Sequence, residues 1–158
     1  GVLILMAEDD EDELHRRLRT IIEHVQPYEP AEFYENLRRN LHIKSMLAQD
    51  NMITAIHDDG ILDSTGYVER VAATAKAIPN LKLIVIDAAP INMIDLTAVH
   101  VLKDLIKDLN AEGVTVAFAG AIESVKWAVT RELESDNLDS DIFYPSIHSV
   151  LSDHDVIQ

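Results

Sequence analysis

The run Leu83-Ile84-Val85-Ile86 most constrains what this chain can fold into. Successive side chains of a strand point to opposite faces, so an unbroken apolar run demands cover on both faces. Such a strand belongs to a sheet with parallel members and helices packed over it. The flanking sequence supplies those helices. Residues 96–110 carry Val99, Leu102, Leu105, Ile106 and Leu109 at helical spacing. Glu112-Gly113 closes that helix, with Gly113 suited to a left-handed C-terminal position. Residues 114–118 read as the next strand. Ile122, Val125, Ala128, Val129 and Leu133 mark another helix. Residues 142–144 form a last short strand, and residues 146–151 a final helical turn or two. Upstream, residues 52–57 and 61–62 read as strands joined by the turn Asp58-Asp59-Gly60. Ser64 or Thr65 can cap a helix bearing Val68, Val71, Ala72, Ala75 and Ile78, which Pro79-Asn80 ends. Strands alternating with helices place the chain in the α/β class.

A division falls near residue 49. Residues 1–49 hold 10 acidic and 6 basic side chains, whereas residues 50–158 hold 18 and 7. The first part opens with Val2-Leu3-Ile4-Leu5-Met6, followed by an acidic run over residues 8–13. Leu14, Leu18, Ile21, Ile22 and Val25 then predict a helix, stopped by Pro27 and Pro30. A second helix is predicted over residues 31–47. Residues 1–49 therefore read as a strand and helical extension, and residues 50–158 as the main domain. The extension's strand is expected to add to a sheet edge or to pair with the edge of another chain. Gly1 follows no methionine, so an upstream segment is expected.

Composition excludes several function classes. The net charge of −15 repels nucleic-acid backbones and anionic lipid, and no basic patch offsets it. The apolar runs fall far short of the ~20 residues that a membrane helix needs. With no cysteine, the chain has no disulfide, thiol nucleophile or thiolate metal site. Seven histidines (residues 15, 24, 42, 57, 100, 148 and 154) include no pair at i, i+4, so no metal site is expected. No nucleophile elbow, phosphate loop or dinucleotide glycine pattern occurs. The chain is expected to be no enzyme, with no catalytic residue and no cofactor. For Trp127 core packing is the default, with a half-buried anchor or a contact residue the alternative.

Several stretches, taken in order, resemble one family. They are Leu83-Ile84-Val85-Ile86-Asp87, then Ile94-Asp95-Leu96-Thr97-Ala98, then the helix over residues 99–109, then residues 113–120 ending in Ala119-Gly120. Together they resemble a STAS domain, found in bacterial anti-sigma-factor antagonists and in the cytosolic tails of sulfate permease (SulP) anion transporters. The family's Asp-Ser/Thr-Ser/Thr-Gly is matched at Asp95 and Thr97 and departs at Leu96 and Ala98. Asp59-Gly60-Ile61-Leu62-Asp63 resembles a Gly-x-Leu-Asp seen most in the antagonists. Phe143-Tyr144-Pro145-Ser146-Ile147-His148 resembles the ending of the permease tails. The resemblance covers roughly residues 51–151. It implies a STAS-like mixed sheet with helices mainly on one side. It also implies a regulatory interaction domain on the cytosolic face of a transporter. Partners would be that transporter's transmembrane domain or a regulatory protein, with a second copy of the chain a further candidate. Nucleotide binding is implied by the resemblance alone. The alternative is an anti-sigma antagonist or stress-signalling scaffold.

The candidate switch has a physical rationale of its own. Asp95 stands where a helix N-cap belongs, and Thr97 in the first turn. A phosphate on Thr97 would meet free amide donors and the positive end of the helix dipole. It would also add negative charge beside Asp95 on a contact surface. Capping alone accounts equally for both residues. Leu96, Ala98, His100 and Lys103 are the partner-contact candidates on the same helix. Asp63-Ser64-Thr65-Gly66 looks closer to the phosphorylation motif but opens the preceding helix, so Asp63 to Thr65 read as caps. A third reading is a degenerate response-regulator receiver. It rests on Asp9 and Asp10 after the first strand, with His57-Asp58-Asp59-Gly60 supplying the phosphoacceptor.

Overall fold

The computed structural model describes residues 1–6, 9–25, 30–46, 54–56, 62–64 and 67–154. In chain order the elements are β1 (Val2–Met6), α1 (Glu11–Val25), α2 (Ala31–Asn40), β2 (Leu41–Ser45), β3 (Thr54–Ile56) and β4 (Leu62–Ser64). There follow α3 (Tyr67–Ala77), β5 (Leu83–Asp87), α4 (Leu96–Ala111), β6 (Thr115–Ala119), α5 (Glu123–Ser135), β7 (Phe143–Tyr144) and α6 (Ile147–Asp153). Five strands form a parallel sheet in the order β2-β1-β5-β6-β7, and among the described residues antiparallel pairing is confined to β3 with β4. The α/β class and the helix-covered sheet hold.

Side-chain alternation divides the core. Leu3, Leu5, Ile84, Ile86, Val116 and Phe118 face the helices α3, α4 and α5. Val2, Ile4, Leu83, Val85, Ala117 and Ala119 face the other way, where Val150, Ile147 and Leu151 of α6 cover them. Ile84 and Val85 are fully buried, so β5 is the doubly covered strand that its sequence demands. Helices α3 to α5 thus lie on one side and α6 on the other.

Two expectations for residues 1–49 change. The apolar strand β1 lies inside the sheet between β2 and β5 and not at its edge. Its alternate residues are buried on both faces, which an edge position covered on one side would not satisfy. The second helix ends at Asn40, and Leu41–Ser45 is a strand paired residue for residue with β1. His42 and Ile43 at these positions fit a half-buried pleated surface once β1 is there to pair with. Residues 1–49 and 50–158 therefore contribute strands to a single sheet.

Local signals account for the boundaries. The Asp10 carboxylate accepts the Glu13 N–H at 2.8 Å and caps α1. Glu11, Asp12 and Glu13 fill its first turn, where the helix dipole favours negative charge. Helix α4 ends in a Schellman arrangement: Val114 N–H donates to the Leu109 carbonyl and Gly113 N–H to that of Asn110. Gly113 has the positive φ (77°) that this requires. Gly120 also has positive φ (72°), and a Cβ there would lie 3.2 Å from Ala89 Cβ. That close approach seats the β5–α4 loop against the end of β6. Ser64, one of the two residues expected as a cap, is the last residue of β4, while Thr65 and the turn 58–60 lie outside what the structure describes.

Two predictions follow from these contacts. Gly113→Ala should lower the unfolding free energy by about 1 kcal/mol, from left-handed backbone strain alone. Gly120→Ala should cost more, because the new methyl also meets Ala89. Urea titration of both variants checks the ranking; equal losses would mean that the loop yields freely. Second, hydrogen bonds from Arg16 and Arg17 hold the Glu13 carboxyl down at about 2, against an ordinary value of 4.5. A depressed folded-state pKa stabilises above the unfolded value and is lost as pH falls through the folded one. Stability should therefore decline between about pH 4.5 and 2. Glu13→Gln should flatten that part of the curve, and unchanged curves would show that the pairs contribute nothing.

Candidate functional site

The amino-terminal end of α4 is built as a capped helix start. Asp95 is extended (φ −86°, ψ 166°), and its carboxylate accepts the Ala98 N–H at 2.8 Å. Its carbonyl accepts the Val99 N–H at 3.0 Å. The first turn holds no acidic residue of its own, so the positive end of this 16-residue helix is not offset within it. Thr97 is half-buried in that turn.

The partner-contact candidates divide. Leu96 is 66 % exposed, an apolar side chain left in solvent. Ala98 is 5 % exposed, so it packs inward and cannot meet a partner, which corrects the expectation for that residue. His100 and Lys103 face α5. Glu132 accepts from Lys103 Nζ at 3.0 Å, and His100 Nε2 stands 3.1 Å from the same oxygen. Lys103 also meets Asp136 at 3.0 Å. Hydrogen bonding to Asp136 and Glu132 raises the Lys103 pKa, and the same bond from Lys103 lowers that of Asp136. His100 remains largely exposed while the Lys103 side chain is mostly covered. Lys103 therefore works as a brace between α4 and α5, and only Leu96 and His100 of the four present much surface.

The structure adds exposed Met93 and Ile122, and it decides where Trp127 lies. Met93 (84 % exposed) precedes α4, and Ile122 is the N-cap position of α5. Trp127 is 63 % exposed, with Arg131 stacked 5.4 Å above its ring, so it is no core residue. The signal was available: Val125, Val129 and Leu133 define the inward face of α5, and Trp127 lies off it. Because β5 and β6 are parallel, α4 and α5 both begin at the same end of the sheet. Ala88 N–H donates to the Ala119 carbonyl there, tying the two connections together. Exposed Met93, Leu96 and Ile122 therefore lie where these two helices begin, and exposed Trp127 is the fifth residue of α5.

Other sequence features have structural roles. Asp9 pairs with Arg17 at 2.7 Å while Asp10 caps α1, so the acidic pair is engaged in holding that helix. Residues 57–60, the other half of the receiver reading, lie outside the described residues. Ser146 caps α6 in a reciprocal box with Ser149, and Ile147 packs on the sheet. The Tyr144-Pro145-Ser146-Ile147 run is thus a strand-to-helix joint. Among the described residues, no group of three acidic or histidine side chains is placed to hold a metal ion. None of the described helices is long and apolar enough to cross a membrane.

Comparison with known proteins gives one family. The model of the STAS domain matches residues 11–150, most of the chain and both sides of residue 49. No curated protein matches in sequence. A solved structure described as "The overall structure of SLC26A9" is similar at 18 % identity and a TM-score of 0.44. The similarity covers 56 % of this chain and 15 % of that one.

If Asp95 holds the first turn of α4, Asp95→Ala should cost about 1 kcal/mol in urea unfolding, and Asp95→Asn only part of that. Equal losses for both variants would show that the charge matters more than the cap.

Proposed function

The chain belongs to the STAS domain family, and on that premise we propose that it is a regulatory interaction domain that works by contact and not by catalysis. The observation that carries this is the amino-terminal end of α4. It presents an exposed Leu96, with exposed Met93 three residues before it, where a partner can bury them. Buried aromatic and aliphatic anchors dominate protein interfaces, so this end is the contact face.

Within the family, we assign the domain to the cytosolic side of a SulP-type anion transporter, tethered to the membrane through a transmembrane domain on the same polypeptide. Two features support this reading. Phe143-Tyr144-Pro145-Ser146-Ile147-His148 resembles the ending of the permease tails. Leu96 and Ala98 also replace the small polar residue and the glycine of the antagonist motif. A buried Ala98 stiffens the turn that a modifying enzyme would have to reach. The transmembrane domain is then the partner that covers Leu96 and Trp127.

A second reading has its own support. Thr97 occupies the first turn of a long helix whose first-turn residues carry no negative charge. A phosphate there would be stabilised by the dipole, while its charge beside Asp95 and Leu96 would oppose docking of an acidic partner. This is the antagonist or stress-signalling alternative, with Thr97 as phosphoacceptor.

Two measurements separate them. Mass spectrometry of the chain treated with kinases that modify an antagonist control should find no phosphate on Thr97. Phosphate present in the wild type and lost in Thr97→Ala would favour the second reading. In full-length protein, Leu96→Asp and Trp127→Asp should each weaken crosslinking of this domain to membrane-spanning segments by about tenfold, the effect of losing one interface anchor of about 1.4 kcal/mol. Unchanged crosslinking in both would sink the contact face.

A further inference from the structure

Sulfur chemistry in this chain is confined to methionine, since the sequence holds four methionines and no cysteine. Met6, Met46 and Met93 lie among the described residues, and their surroundings differ. Met46 is 5 % exposed within the helix-side core, and Met6 packs half-buried against the other face of the sheet. Met93 is 84 % exposed. An oxidant has to reach the thioether sulfur, so exposure ranks the three, with Met93 first.

The exposure of Met93 is imposed by its neighbours. Ala88 N–H donates to the Ala119 carbonyl at 2.8 Å, and Ile91 N–H donates to the Ala88 carbonyl at 3.0 Å. Ile91 and Ile94 both pack against the helix-side core. Ile94 directly precedes the Asp95 cap, and Val99, the fourth residue of α4, belongs to the same cluster. Those are the two positions of a hydrophobic staple, which fixes how the chain enters the helix. With the segment held inward at residues 91 and 94, Met93 between them is left in solvent, three residues before exposed Leu96. A thioether suits a contact surface, because it is apolar, polarisable and able to adapt its shape.

We propose that Met93 is an oxidation site that regulates the α4 contact face: hydrogen peroxide converts its thioether to the sulfoxide, and the sulfoxide opposes docking. This regulation presupposes that the start of α4 is the contact face. The sulfur lone pair attacks one peroxide oxygen, and the S–O bond forms as the O–O bond breaks. The departing hydroxide takes the proton from the transferred oxygen and leaves as water. Sulfur is oxidised by two electrons and the peroxide is reduced by two. An apolar side chain thereby becomes a polar one, whose burial costs free energy unless a donor meets its oxygen. Docking covers the sulfur, so docking and oxidation compete for one side chain. The undocked domain is the form that reacts, and it stays undocked until a methionine sulfoxide reductase restores the thioether.

The test begins with the whole chain in dilute hydrogen peroxide, mapped by mass spectrometry over time. Met93 should be oxidised ahead of Met6 and Met46, and either of those two reacting first would overturn the assignment. The second step uses full-length protein and the crosslinking of this domain to membrane-spanning segments. Peroxide should weaken that crosslinking about tenfold, by placing an unpaired polar group in the interface. Reductase treatment should restore it. Met93→Leu keeps an apolar side chain without the sulfur and should be insensitive to peroxide, while Met93→Gln should imitate oxidation without peroxide. Equal weakening by peroxide in wild type and Met93→Leu would overturn the oxidation site. So would crosslinking that peroxide leaves unchanged while Leu96→Asp weakens it, and in that case the contact face stands. Crosslinking unchanged by Leu96→Asp would instead bring down the contact face, and this regulation with it.

Discussion

Everything in this domain depends on burying β5 from both sides. Ile84 and Val85 have no exposure, and they point in opposite directions. Covering one of them needs α3, α4 and α5, and covering the other needs α6. Strands β1 and β6, which flank β5, are buried on both faces for the same reason. A parallel sheet results because every connection between successive strands of that sheet includes a helix, from β6 to β7 the helix α5, which returns the chain to the starting end.

That constraint also creates the contact face proposed for the start of α4. In a parallel sheet the connections after β5 and β6 emerge together, and the helices they feed begin together. Asp95 starts α4 with a side-chain cap, while Lys103 braces its middle against Glu132 and Asp136. The exposed apolar side chains therefore stand on a rigid base. A surface held in this way loses little further conformational entropy when it docks, which is what a domain acting through contact requires.

How far the sequence revealed this varied with the range of the interactions involved. The α4 cap, the Gly113 stop and the inward faces of α4 and α5 were legible, because each depends on residues within a few positions. Residues 41–45 were not. Leu41 continues the apolar spacing of α2, and only the presence of β1 beside it makes a strand the better solution. The inward packing of Ala98 and the outward position of Trp127 were hidden in different ways. Alanine carries little hydrophobic signal of either sign, while a tryptophan is so often buried that its place off the α5 inward face was outweighed.

The sequence by itself determined the class of the fold, the order of most of its elements and the residue that caps α4. Apolar periodicity and capping are local, so they can be read along one dimension. The tertiary structure alone decided that β1 lies between β2 and β5, that Lys103 is a brace, and that Met93, Leu96 and Ile122 share one end of the sheet. Those outcomes depend on which strands become neighbours, and strand order is set by which pairing buries the most apolar surface across the whole chain.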